Sequence, residues 1–262
     1  MQNDVRAELE LQGELRLALE RRQFTLAYQP KVDAHSGAIV ALEALLRWQH
    51  PRLGWVSPAR FIPVAEHYGL MGEIGNWVLQ EAIAQLARWR AMGLALRMSI
   101  NVSPQQLESD DLVSRVYTLL NAHQLEARQV CLEVTESTAM LRPSHTRALL
   151  GQLRALGVEL SIDDFGTGHS GLSYLYRLPV TELKIDRSFV IALDEGSLPV
   201  IEATVKMAKA YGLRVVAEGV ELPQQQQALL ACGCDEFQGY LFGRPVPAAE
   251  IETILLAAQA AA

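Results

Sequence analysis

Seven strand-like runs of the chain each end in residues able to do chemistry: Glu43 after IVAL, Asn101 after RMSI, Glu133 after VCL, Asp163 and Asp164 after LSI, Lys184 after TEL, Glu218 after RVVA and Gln238 after DEF. Buried parallel strands should read as nearly continuous apolar runs, so a polar end on every one is a departure that needs a reason. A single such residue is explained by an ion pair or a strand-end cap, but the whole set is not. If the strands close into a barrel, their C-terminal ends meet at one mouth. Five carboxylates facing one lysine there leave about −4 in a partly buried site. Repulsion and desolvation make that untenable unless cations enter or several carboxyls stay protonated.

The donor types select the cation. Carboxylates and an Asn amide oxygen, with no Cys and no evident His, suit Mg²⁺ or Mn²⁺, with Ca²⁺ a poor substitute. The six histidines, His35, His50, His67, His123, His145 and His169, show no metal-ligand spacing. Adjacent Asp163 and Asp164, one of them able to bridge, match what two ions about 3.5–4 Å apart require. Two divalent ions would neutralise the cluster and admit a phosphate that the bare site repels. Such a pair activates water and clamps the attacking and leaving oxygens of an in-line phosphoryl displacement. Lys184 would orient the water or stabilise charge on the phosphoryl oxygens, and Arg47, on the strand carrying Glu43, is placed to hold a second phosphate. The absence of a G-x-S-x-G elbow, a Cys–His pair in suitable context and a P-loop argues against a covalent route or a nucleoside triphosphatase.

The elements that must position these groups alternate. FTLAYQPKVD (24–33) and GAIVALEALLRW (37–48) predict an antiparallel hairpin broken at His35-Ser36-Gly37, and further strands are expected at 96–103, 130–137, 158–166, 181–188, 214–221 and 235–243. Helices are expected at 58–68, 72–91, 103–123, 142–156, 198–211 and 222–231, with a last one closing the chain. Eight strands interleaved with helices predict an α/β fold, a TIM-like (β/α)8 barrel with one antiparallel strand. A doubly wound open sheet competes, but no glycine-rich phosphate fingerprint follows the first strand.

Residues 5–21 read as a solvated helix with a thin apolar stripe of Leu9, Leu15 and Leu19. We therefore expect residues 1–22 to be an N-terminal connector helix, joined to an upstream sensory or regulatory domain in a longer parent, ahead of a barrel over 23–262. The chain has 262 residues, half of them apolar, and a net charge of −7, which argues against polymeric nucleic acid and against a polybasic membrane anchor. With no membrane-length apolar run and no signal peptide at its start, it is expected to be cytoplasmic. Cys131, Cys232 and Cys234 form no disulfide framework and are expected to pack.

Eight blocks occur in order: YQP (28–30), EALLRW (43–48), INVS (100–103), LEVTES (132–137), DDFGTG (163–168), LKID (183–186), AEGVE (217–221) and QGYLFGRPVP (238–247). Together they resemble the EAL domain family of cyclic di-GMP phosphodiesterases nearly end to end. The resemblance implies hydrolysis of one phosphodiester of cyclic di-GMP to linear pGpG by two divalent ions, in a homodimer. It implies Glu43, Asn101, Glu133 and Asp163 as ligands of a first metal, with Asp163 bridging, and Asp164 on the second. Glu218 would be a further metal-site glutamate, and Lys184 would touch the catalytic water. Gln29, Arg47 and Gln238 would contact substrate or water, Glu136 would steady the loop after Asp164, and Glu221 is a weaker match. His169 and Gly171 stand where the family usually has Tyr and Ser, in a loop between active site and dimer interface. The alternative reading, a cyclic di-GMP receptor that does not cut, fits poorly because such members usually lack parts of the signature kept here.

Overall fold

The computed structural model describes residues 11–166 and 177–261. Eight strands close on themselves: β1 (Phe24–Asp33), β2 (Ile39–His50), β4 (Arg97–Asn101), β5 (Val130–Thr135), β6 (Glu159–Phe165), β7 (Glu182–Ile185), β8 (Arg214–Ala217) and β9 (Glu236–Gln238). All neighbours from β2 round to β9 run parallel, and β1 closes the ring antiparallel to both β2 and β9. The hairpin turn is set by Asp33, whose carboxylate accepts from the backbone N–H groups of His35 and Ser36 at 3.2 and 2.7 Å. Two short strands, β3 (Gly54–Val56) and β10 (Val246–Pro247), extend β2 and β1 and were not anticipated.

Strict alternation along the strands builds two different interiors. Outward residues such as Leu42, Met98, Ile100, Leu132, Ile162, Leu183 and Val215 join the hydrophobic layer under the helices. Many inward residues are polar: Lys31, Glu43, Ser99, Glu133, Ser161, Glu182, Lys184, Glu236 and Gln238 are all buried. The helix Met71–Ala91 covers the wall with Ile74, Val78, Ala82, Leu86 and Trp89. At the N-terminal strand ends, Arg97 and Arg214 pair with Glu159, Glu182 and Glu236, closing the barrel floor with ion pairs.

The helix expected at 103–123 is two helices, Pro104–Glu108 and Leu112–Ala122. Ser103 starts the first through a capping box with Gln106. The Ser109 hydroxyl then donates to Asp111 at 2.6 Å, drawing the chain out of helical geometry. Strand β5 stops at Thr135 rather than at 137, because its side chain accepts from Thr138 N–H and caps a short helix, Glu136–Leu141. In the helix over 11–18, Leu11, Leu15 and Ala18 are buried, and Glu14 pairs with Arg21, Arg52 and His50. Among the described residues, no helix is long and apolar enough to cross a membrane.

Candidate active site

Register brings the strand-end residues together. Asn101 lies beside Glu133, and Gln29 on the antiparallel strand lies beside Glu43. Glu43 accepts from Asn101 Nδ2 at 2.8 Å and from Gln238 Nε2 at 2.6 Å, and the same Gln238 amide donates to Gln29 Oε1 at 3.0 Å. Gln238 Oε1 is buried without a hydrogen-bond partner among the described residues. Lys184 Nζ stands at the centre, 2.7 Å from Glu133 Oε2, 2.7 Å from Glu218 Oε1, 3.1 Å from Asp163 Oδ1 and 3.7 Å from Glu43 Oε2.

Consecutive strand residues normally point to opposite faces. Here the β6–β7 register shifts between Ile162 and Phe165, and Asp164 takes a left-handed φ of +54°. The irregularity turns both aspartates toward one place, where single oxygens of Asp163, Asp164 and Glu218 lie within 4.8 Å of one another. Non-glycine residues in that conformation carry strain, which functional sites retain. On the loop side, Glu136 Oε2 accepts from Gly166 N–H at 2.9 Å.

Charge crowding shows in the acidities. Burial pushes the Asp164 carboxyl up to about 6, helped by its neighbours Asp163 and Asp186. Burial likewise raises Glu43, and raises Glu218 well above the ordinary glutamate value, against the pull of Lys184. Glu133 goes the other way: burial opposes its charge, yet Lys184 and Lys31 together hold it down at about 2. Burial would strip Lys184 of its proton, but the surrounding carboxylates hold it well above the ordinary lysine value.

A cavity of about 300 Å³ opens over this cluster, lined by Glu43, Asp163, Lys184, Glu218, Gln238 and Gln29, with Arg47 and Glu221 toward its rim. Asn101, Glu133, Asp164 and Glu136 do not line it; Asn101 reaches it through Glu43, and Glu133 lies beneath Lys184. Four neighbours were not singled out in the sequence. Arg187 and Tyr240 line the cavity, Tyr240 with the Arg244 guanidinium 4.1 Å over its ring. Asp186 adds negative charge beside Asp164. Lys31 is buried under Glu133 and sets one positive charge against the one that Asp186 adds. Arg187 directly follows LKID and could have been found there; Lys31 follows Gln29 by two, the spacing of one strand face. His169 and Gly171 lie outside the described residues.

The oxygen-only donor set, the raised pKa of Asp164 and Glu218 and the orphaned Gln238 oxygen fit hard divalent cations. Among the described residues, no Cys or His lines the cavity.

Comparison with known proteins gives the same picture. The EAL domain model matches residues 12–245. The chain is 46% identical over 254 residues to the bifunctional diguanylate cyclase/cyclic di-GMP phosphodiesterase MucR of Pseudomonas aeruginosa, covering 96% of this chain and 37% of that protein. It is 41% identical over 231 residues to the cyclic di-GMP phosphodiesterase PA2567 of the same organism, covering 87% of this chain and 39% of that protein. The chain thus spans about two-fifths of the length of these curated relatives. The solved MucR phosphodiesterase in complex with c-di-GMP superposes with a TM-score of 0.89 at 46% identity, covering 92% of this chain and 99% of that one. The EAL enzyme Bd1971, bound to cAMP and cyclic di-GMP, superposes at 0.91 with 34% identity, covering 96% and 70%. With a closed eight-stranded barrel, this mouth and a family match over most of its length, the chain belongs to the EAL domain family.

Proposed function

We propose that the chain is a phosphodiesterase that hydrolyses one phosphodiester of cyclic di-GMP to linear pGpG, using two Mg²⁺ or Mn²⁺ ions. The observation that carries the reading is the meeting of Asp163, Asp164 and Glu218 beside a cavity that also presents Lys184 and Arg47. Glu43, Asn101, Glu133, Asp163, Asp164 and Glu218 would hold the ions. Bound there, the ions would lower the pKa of water and neutralise charge on the phosphoryl group.

The chain's own residues do the rest. Lys184 carries a fixed positive charge that orients the attacking water and meets negative charge as it grows on the phosphoryl oxygens. Arg47 and Arg187 offer guanidinium forks to phosphate oxygens. Gln238, itself held by Gln29, fixes the Glu43 carboxylate through Nε2 and leaves its Oε1 free to accept. Glu136 holds the backbone after Asp164 through Gly166, and Glu221 edges the cavity. A homodimer, an upstream domain of a longer parent and a cytoplasmic location complete the proposal; the relatives' greater length supports the second.

The test is incubation of the chain with cyclic di-GMP and Mg²⁺ or Mn²⁺, then with chelator, separating products by chromatography. Metal-dependent pGpG supports the enzyme. Tight binding without product supports the receptor.

A further inference from the structure

We infer that Lys31 is a positioning residue that reserves one oxygen of Glu133, so that this carboxylate offers only its other oxygen to the mouth and the site favours small divalent ions over calcium. The inference rests on the metal site proposed above.

Lys31 enters the barrel from β1, the antiparallel strand, on the face that carries Gln29 one layer above. Its Nζ lies 2.6 Å from Glu133 Oε1, donates to Ser99 Oγ at 2.8 Å and stands 3.6 Å from Glu182 Oε1. Lys31, Glu133 and Glu182 side chains are no more than 1% exposed. Glu133 is therefore divided. Oε1 is held from below by Lys31, while Oε2 accepts from Lys184, which has Glu43, Asp163 and Glu218 as further partners at the mouth and can give this oxygen up to a cation. Glu182 is anchored in turn by Arg214 Nε at 2.8 Å in the barrel floor, so Lys31 stands on a fixed base. Magnesium requires near-ideal octahedral geometry with one oxygen from each ligand, whereas calcium accepts bidentate carboxylates and higher coordination numbers. A glutamate with one oxygen engaged by an ammonium cannot chelate through both. Partners behind a ligand tune metal binding in this way elsewhere.

A plainer role is available: Lys31 only balances the buried Glu182. Two variants separate the readings. Lys31→Met frees Glu133 Oε1, and Lys31→Met/Glu182→Gln removes the lysine together with one of the two buried carboxylates it pairs with, which limits the charge imbalance left behind. Mg²⁺ and Ca²⁺ chlorides are titrated calorimetrically into the full chain without nucleotide, alongside a thermal melt. We expect the ratio of Ca²⁺ to Mg²⁺ affinity to rise about tenfold or more in both variants, while the double variant regains the melting temperature lost in the single one. A wild-type ratio in the variants, with cation binding retained, overturns the role of Lys31 alone. A wild-type chain that binds neither cation at the mouth overturns this inference and the metal site together.

Discussion

Asp163 and Asp164 are consecutive in strand β6 yet bring their carboxylates to the same place, within 4.8 Å of each other and of Glu218, because Asp164 adopts a φ of +54° where the pairing with β7 slips. Without that slip, alternation would send one of them to the outer wall. The pair is costly when bare, and the cost can be measured.

Asp164→Asn should raise the melting temperature of metal-free protein near neutral pH. The folded carboxyl titrates at about 6 against an ordinary 3.8, so its contribution is fully present below pH 4 and is lost as pH rises through 6. Metal-free wild type should lose more stability across that window than the Asn variant, in which Glu43 and Glu218 still titrate above their ordinary value. Asn also tolerates the left-handed backbone. The group is half-exposed, so screening limits the gain to about 1 kcal/mol, or about 2–4 °C. Melts at pH 4, 6 and 8 with chelator check this; an equal pH slope in both proteins contradicts it.

Glu43→Gln keeps the shape but removes the charge and leaves one acceptor oxygen for the two amides of Asn101 and Gln238. Turnover should fall by about 100-fold or more, as when an electrostatic contact to the reacting group is lost. Circular dichroism should remain unchanged. Full activity with Mg²⁺ would remove Glu43 from the site.

Lys184→Ala should lower kcat by about 100-fold or more with a smaller change in KM, since its charge acts on the transition state. Metal-free protein should lose roughly 3–5 kcal/mol, because four carboxylates lose their shared partner, and Mg²⁺ should restore part of it. A change in KM alone would make Lys184 a binding group.

Glu136→Ala leaves the Gly166 N–H without its acceptor and should cost about 1–3 kcal/mol in denaturant melts. Glu136→Gln retains an acceptor oxygen and should recover most of that stability. Weaker Mn²⁺ binding in the Ala variant, restored in the Gln variant, would show that the loop contact holds Asp164 in place.

The mouth was legible because each of its residues interrupts an apolar run, and periodicity located the strands to within a few residues. The floor was not. Arg97, Glu159, Glu182, Arg214 and Glu236 sit at strand starts, where charges read as solvated ends, and only barrel closure brings them together. Lys31 was missed for a related reason: one lysine in a strand reads as an exposed edge until β1 is known to face inward antiparallel to both neighbours. The slip at Asp164 follows from tertiary pairing and leaves no local mark. Nor does periodicity reveal the break between Glu108 and Leu112, which depends on a side-chain contact between Ser109 and Asp111.

The most direct measurement is turnover of cyclic di-GMP in ¹⁸O-enriched water with Mn²⁺, followed by mass spectrometry of the product. The account predicts pGpG carrying one ¹⁸O in its terminal phosphate, formed only with the metal and lost in Glu43→Gln. Nucleotide bound and recovered intact, or product formed equally well in chelator, would contradict it.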